Sequence, residues 1–205
     1  MKSRNLISEV INKPWLLVSE LKMLFVLPLA YVYLLFNRAG IRFPFKFYGL
    51  PRVQKHKGSQ IIIGQNFENR NWASANFISS HQRTVLATNS SRGKILIGNN
   101  VGISGSNIVS ETEITIGDST IIGSNCLIID TDFHPMAAKN RRHSKKGVRS
   151  KSIKIGKNVF VGTRSIILPG VIIGDNTIIG AGSVVRRSVP ANSIYVDGKI
   201  TKLKK

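Results

Sequence analysis

Six residues hold the densest chemistry in this chain. "DTDFHP", residues 130–135, sets Asp130, Asp132 and His134 at alternate positions. An alcohol attacks a carbonyl carbon well only once its proton is taken, and an imidazole, with an ordinary pKa near ~6.5, takes it at neutral pH. His134 therefore has two readings: a general base, or a turn residue that Pro135 biases toward extended backbone. Asp130 and Asp132 fall on the same side of an extended stretch as His134. Either one orients the ring or binds a substrate, and a turn-stabilising role suits Asp132 equally well. His56, His81, His134 and His143 show no paired ligand spacing, so no metal is expected. Cys126 is the only cysteine, which excludes an intramolecular disulfide and suits a reducing compartment.

The elements that must position these groups are legible as a repeat. Written in sixes the chain reads "IGNNVG ISGSNI", "IGDSTI IGSNCL IIDTDF" and "IGKNVF VGTRSI ILPGVI IGDNTI IGAGSV". Ile97, Ile116, Ile122, Ile155, Val161, Ile167, Ile173 and Ile179 lead their hexads, and Asn66, Asn100, Asn125, Asn158 and Asn176 stand fourth. The fifth place is small or β-branched, as at Val101, Thr120, Cys126, Ser165, Thr177 and Ser183. Ile and Val favour short strands, whereas Gly and Asn tolerate the positive φ of a corner. Three short segments and three corners make one triangular coil of 18 residues, the separation of Ile155 and Ile173. Stacked coils bury a continuous core that no single coil buries alone. The fifth place of its hexad makes Cys126 a buried structural residue rather than a nucleophile. The hexads stop at Phe133 and resume at Ile155, with His134 where the next inward aliphatic would fall. Residues 134–154 are therefore an excursion, and long loops inside compact domains are commonly functional.

From about Ile61 to Pro190 the chain resembles the hexapeptide-repeat acyltransferases, through "IGNNVGISGS", "DTDFHP" and "IIGAGSVVRRSVPANSI". The resemblance implies a mainly β fold, a left-handed parallel β-helix, and the branch that O-acetylates sugars in surface glycans. It also implies acetyl-CoA as cosubstrate and His134 as the base that deprotonates the acceptor hydroxyl. By the same likeness Asn107, Glu111 and Glu113 fall in the region of acceptor-binding groups. The pantetheine arm would lie along the later coils between neighbouring chains of a homotrimer, against Gly162, Thr163, Gly180, Ala181 and Gly182. Arg186 and Arg187 would meet its phosphates. The family's short ending is replaced here by "YVDGKI", residues 195–200.

The ends follow another grammar. "MLFVLPLAYVYLLF", residues 23–36, is uncharged, with Glu20 and Lys22 before it and Pro28 inside. A membrane span wants about 20 apolar residues. An interfacial or re-entrant helix pair is expected instead, with a packed helical cap as the alternative. Phe43, Phe45, Phe47 and Tyr48 among Arg38, Arg42 and Lys46 suit lipid headgroups. The chain divides into an apolar and basic helical segment (1–56), the β-helix (57–192) and a basic tail (193–205). Lys and Arg total 30 against 10 Asp and Glu, a formal net charge of +20. Residues 139–154 hold eight of those cations and no acid. No nucleic-acid-binding signature accompanies the charge, which leaves an anionic membrane surface or a phosphorylated substrate. The expected protein is a cytoplasmic O-acetyltransferase, peripheral to the inner face of the cell membrane, acting on a glycan or lipid-linked sugar. N-acylation of a nucleotide-linked amino sugar and a non-catalytic scaffold are the rivals.

Overall fold

The computed structural model describes residues 13–76, 78, 82–139 and 141–204. Among the described residues one helix, α1 (Pro14–Phe36), precedes the strands, and Pro at its first turn gives up only an amide that has no partner there. The first coil is β1 (Gly40–Ile41), β2 (Phe45–Tyr48) and β3 (Arg52–Lys55); the second is β4 (Gln60–Ile63), β5 (Phe67–Arg70) and β6 (Val85–Thr88). The third is β7 (Lys94–Ile97), β8 (Gly102–Ser104) and β9 (Asn107–Ser110), and the fourth β10 (Glu113–Ile116), β11 (Ile121–Ile122) and β12 (Leu127–Ile129). The fifth is β13 (Ile153–Ile155), β14 (Phe160–Val161) and β15 (Ile166–Ile167), and the sixth β16 (Ile172–Ile173), β17 (Ile178–Ile179) and β18 (Val184–Val185). A hairpin of β19 (Ser193–Val196) and β20 (Lys199–Lys202) closes the far end.

Every third strand pairs, in parallel, so three sheets wall a prism. Face A runs β1-β4-β7-β10-β13-β16, face B runs β2-β5-β8-β11-β14-β17-β19-β20, and face C runs β3-β6-β9-β12-β15-β18. All eight hexad-leading aliphatics point inward and are buried, as are the six small fifth-place residues. Each such Ile or Val removed from water stabilises the fold by about 2 kcal/mol before the cost of ordering the chain. The fourth-place residues Asn66, Asn100, Asn125, Asn158 and Asn176 all adopt φ between 52° and 59°, which bends the chain from one face to the next. At the A/B vertex their side chains also stack. Asn66 donates to Asn100 at 3.0 Å, Asn158 to Asn176 at 2.9 Å, and Asn176 to Asn192 at 3.0 Å.

The N-terminal part departs from the expectation in two ways. Among the described residues it holds one helix, not a pair, and parallel pairing begins at Gly40 rather than near residue 57. Phe45, Phe47 and Tyr48 are buried, because strand alternation and the top of the prism turn them into the core; only Phe43 of that aromatic set stays exposed. Helix α1 lies over this first coil. Ala30 and Leu34 are fully buried against it, and the Tyr48 hydroxyl donates to Glu20 Oε1 at 2.6 Å. The outer side is also apolar, with Leu24, Phe25, Leu29, Val32 and Phe36 exposed. By length and composition alone, Leu17–Phe36 is long and apolar enough to cross a membrane. Residues 193–202, expected as a tail, extend face B instead.

Candidate active site

Strand β12 ends at Ile129 and the chain does not re-enter the prism until β13, so the excursion spans 130–152 at the C/A vertex. Its two ends are tied together: Lys151 N donates to Asp130 O at 2.9 Å, Asp132 N to Arg149 O at 2.9 Å, and Ser150 Oγ to Thr131 Oγ1 at 2.9 Å. Phe133, at φ 58°, breaks the extended run and throws His134 outward. His134 is exposed, not in an inward aliphatic position. Its Nδ1 faces the Arg141 carbonyl oxygen at 3.3 Å. A carbonyl only accepts, so this contact selects the tautomer protonated at Nδ1 and leaves Nε2 as the basic nitrogen. Arg141 in turn clamps the segment after His134, with Nε donating to Pro135 O at 3.2 Å and Nη2 to Met136 O at 2.7 Å.

Neither carboxylate of "DTDFHP" bonds the imidazole. Asp130 is fully buried and accepts from Ser110 Oγ (3.0 Å), Glu111 N (2.6 Å), Thr112 N (2.9 Å) and Thr112 Oγ1 (2.8 Å). It anchors the excursion to the coil above. Asp132 pairs with Arg149 at 3.0 Å and braces the loop's return. Their common alternation with His134 is lost because Phe133 leaves the extended region.

Of the other expected acceptor-side groups, only Glu111 shares the vertex of His134. Its backbone amide binds Asp130 and its carboxylate accepts from Asn89 Nδ2 at 2.8 Å. Glu113 is drawn onto face A by Lys94, 3.6 Å away. Asn107 lies in face C, in register between Val85 and Leu127, with its Oδ1 buried and without a hydrogen-bond partner among the described residues.

Gly162, Thr163, Gly180, Ala181 and Gly182 gather at the B/C vertex, whereas Arg186 and Arg187 follow β18 on face C, in the turn toward face A. A Cβ on Gly162 would meet Ala181 N at 2.5 Å and one on Gly180 would meet Val196 Cγ2 at 2.7 Å, so coil stacking explains both glycines. Gly182 differs: at φ +72° a Cβ there would meet nothing within 4 Å, and Ala181 beside it is exposed. Thr163 Oγ1 donates to Ser124 O at 2.6 Å. Arg187 donates to Gly198 O at 2.7 Å, while Arg186 is exposed and has no ion partner among the described residues. An open, glycine-floored corner suits the approach of an acyl-carrier arm. A second excursion, residues 71–84, also reaches this vertex, where Asn76 Nδ2 donates to Ser124 Oγ at 3.2 Å. Its only sequence signal is the lapse of the hexads across "NWASANFISSHQRT", which includes His81, outside the described residues.

Cys126 is buried and its Sγ contacts Gly162 O at 3.2 Å; burial pushes its thiol up, so it is not a standing thiolate. Among the described residues no group of His, Cys, Asp and Glu could hold a metal ion.

Residues 152–187 match the family model described as bacterial transferase hexapeptide, six repeats. The match lies within the fifth and sixth coils. It is 40% identical over 87 residues to a galactoside O-acetyltransferase of Escherichia coli (strain K12), covering 42% of this chain and 41% of that one. It is 35% identical over 120 residues to a putative lipopolysaccharide biosynthesis O-acetyl transferase, WbbJ, of the same strain, covering 54% and 61%. The chain thus spans about two fifths to three fifths of the length of these curated relatives. Among solved structures, a mutant of the N-acyltransferase AntD from Bacillus cereus superposes with a TM-score of 0.58 at 19% identity, over 83% of this chain and 88% of that one. At that identity the likeness is one of fold, a left-handed parallel β-helix.

Proposed function

We propose that this protein is an acetyl-CoA-dependent O-acetyltransferase whose acceptor is a sugar hydroxyl of a bacterial surface glycan or lipid-linked precursor. The observation that carries the reading is His134: exposed on a braced excursion, with Nδ1 turned to a carbonyl and Nε2 left free. Nε2 takes the proton of the acceptor hydroxyl as its oxygen attacks the thioester carbonyl. The imidazolium holds that proton while the C–S bond breaks, then returns it to the departing sulfur, so base and acid are the same atom. Acetyl-CoA supplies the activated acyl group; the open corner at Gly182 and Ala181 would hold its arm. The names of the two Escherichia coli relatives favour oxygen over nitrogen as the acceptor atom.

The base and the cofactor corner lie on different vertices of one prism, C/A and B/C. A homotrimer, in which the excursion of one chain faces the B/C vertex of its neighbour, would unite them. The apolar outer side of α1, with Arg38, Arg42 and Lys46 nearby, suits peripheral attachment to the inner face of the cell membrane.

Release of free thiol from acetyl-CoA, followed with a panel of sugars, tests the reading. His134→Ala should slow turnover by about 10²–10⁴-fold with the melting temperature unchanged; near-normal turnover of His134→Asn overturns the base. Mixing His134→Ala chains with Ala181→Trp chains, each inactive alone, should restore about a quarter of wild-type activity if sites form between neighbours. No recovery after co-refolding assigns each site to one chain.

A further inference from the structure

The excursion that carries His134 also carries charge that no described residue neutralises. Of its seven cations, two are consumed internally: Arg141 on the Pro135 and Met136 carbonyls, and Arg149 on Asp132. Lys139, Arg142, Lys145 and Lys146 are exposed toward its tip, and none has an ion partner among the described residues. Glu111, the acid stacked above the loop's root, is engaged with Asn89, and Asp130 is buried under its own donors. The loop is also held in shape. Besides the ties at its root, Lys146 N donates to Ser144 Oγ at 3.1 Å, and Gly147, at φ +84°, turns the chain back past Pro135. Fixing like charges together costs free energy through mutual repulsion, which a bound anion relieves.

We infer that Lys139, Arg142, Lys145 and Lys146 form a phosphate-binding collar for the acceptor, which therefore reaches His134 as a sugar carrying a phosphate or diphosphate. This rests on His134 being the base, because the collar gains its meaning from sharing that residue's loop. A planar guanidinium grips two phosphate oxygens at once, and the ammonium groups add mobile point charges, a set that suits a diphosphate better than a neutral glycan. The position separates the collar from the other anion-seeking surfaces. The acyl-carrier corner at Ala181 and Gly182 is at the B/C vertex, and Arg186 follows β18, two coils beyond the excursion. Helix α1 lies on the first coil, whereas the excursion leaves the fourth, about 14 Å along the prism at the spacing of neighbouring strands.

The experiment compares full-length wild type with a variant carrying Lys139→Gln, Arg142→Gln, Lys145→Gln and Lys146→Gln, by calorimetric titration at low salt. Wild type should bind inorganic pyrophosphate, and glucose 1-phosphate better than glucose. The variant should bind pyrophosphate at least about tenfold more weakly while coenzyme A affinity changes less than about twofold. His134→Ala should bind pyrophosphate as wild type does, so failure of the base assignment and failure of the collar are told apart. Wild type that ignores pyrophosphate overturns the inference. So does a parallel loss of coenzyme A binding, which would assign the loop to the cosubstrate. A variant that keeps pyrophosphate but no longer sediments with phosphatidylglycerol vesicles would make the loop a membrane contact instead, and also overturns it. If the variant fails to fold, salt dependence on wild type decides: pyrophosphate affinity must fall steeply with added salt.

Discussion

The A/B and C/A vertices of the same prism are built from the same repeat and used oppositely. At A/B each coil turns through a residue at positive φ, from Asn66 to Asn192, and no residue is added. At C/A the fourth coil opens into the excursion 130–152, yet β10 still pairs with β13 and β12 with β15 in unbroken register. The pairing lies in the faces, so a corner can be lengthened without disturbing the ladder. What the lengthened corner needs is a fastening at its root. Asp130 supplies it by gathering four donors from the coil above. Regular vertices hold the prism; one opened and fastened vertex carries His134.

That contrast can be broken hardest at the fastening. Asp130→Asn keeps one oxygen but turns an NH₂ toward either the Glu111 amide or the Thr112 amide, which bind different carboxylate oxygens, and should destabilise the protein by about 2–3 kcal/mol in urea unfolding. A loss below about 0.5 kcal/mol would mean that the excursion is held by its other ties. Arg141→Ala tests the clamp beyond the root. It should lower kcat about tenfold, leave KM for acetyl-CoA and the melting temperature nearly unchanged, and recover little with Arg141→Lys, which cannot bond both carbonyls as a planar fork does. Full rescue by lysine would reduce Arg141 to a surface charge. The smallest effect sharpens the regular side. Ser119, at φ 58°, interrupts the amide column between Asn100 and Asn158. Ser119→Asn should join its two parts and raise the melting temperature by about 1–2 °C, since Asn also tolerates positive φ better than Ser.

Most of the prism was legible because a six-residue period fixes which side chains turn inward and where the backbone bends. Ile122 and Asn125 declare both in four residues. The excursion was legible as the place where the period stops. The first coil was not: Phe45, Phe47 and Tyr48 sit among cations, and no glycine–asparagine hexad marks them as strand. Asp130 was legible as a carboxylate near a histidine, but its partners are about twenty residues earlier, and stacking across coils is invisible to neighbours in sequence. The clamp by Arg141 was hidden for a related reason, since a basic run does not say which cation turns back onto its own loop. Gly162 and Gly182 read alike, yet one is filled by the next coil and the other faces open space.

The hairpin of β19 and β20 has a consequence for how molecules meet. A stack of parallel strands ends in unpaired backbone, and an exposed end of that kind invites another molecule to continue the sheet. Strand β20 runs antiparallel to the rest and carries Lys199 and Lys202 outward, so it offers the wrong direction and a repelling charge. Helix α1 obstructs the opposite end. Losing the hairpin alone would leave one adhesive end per molecule, and two such ends can only meet tail to tail and close. Losing both coverings would leave two, and growth would then have no natural stopping point, giving fibres in place of discrete particles.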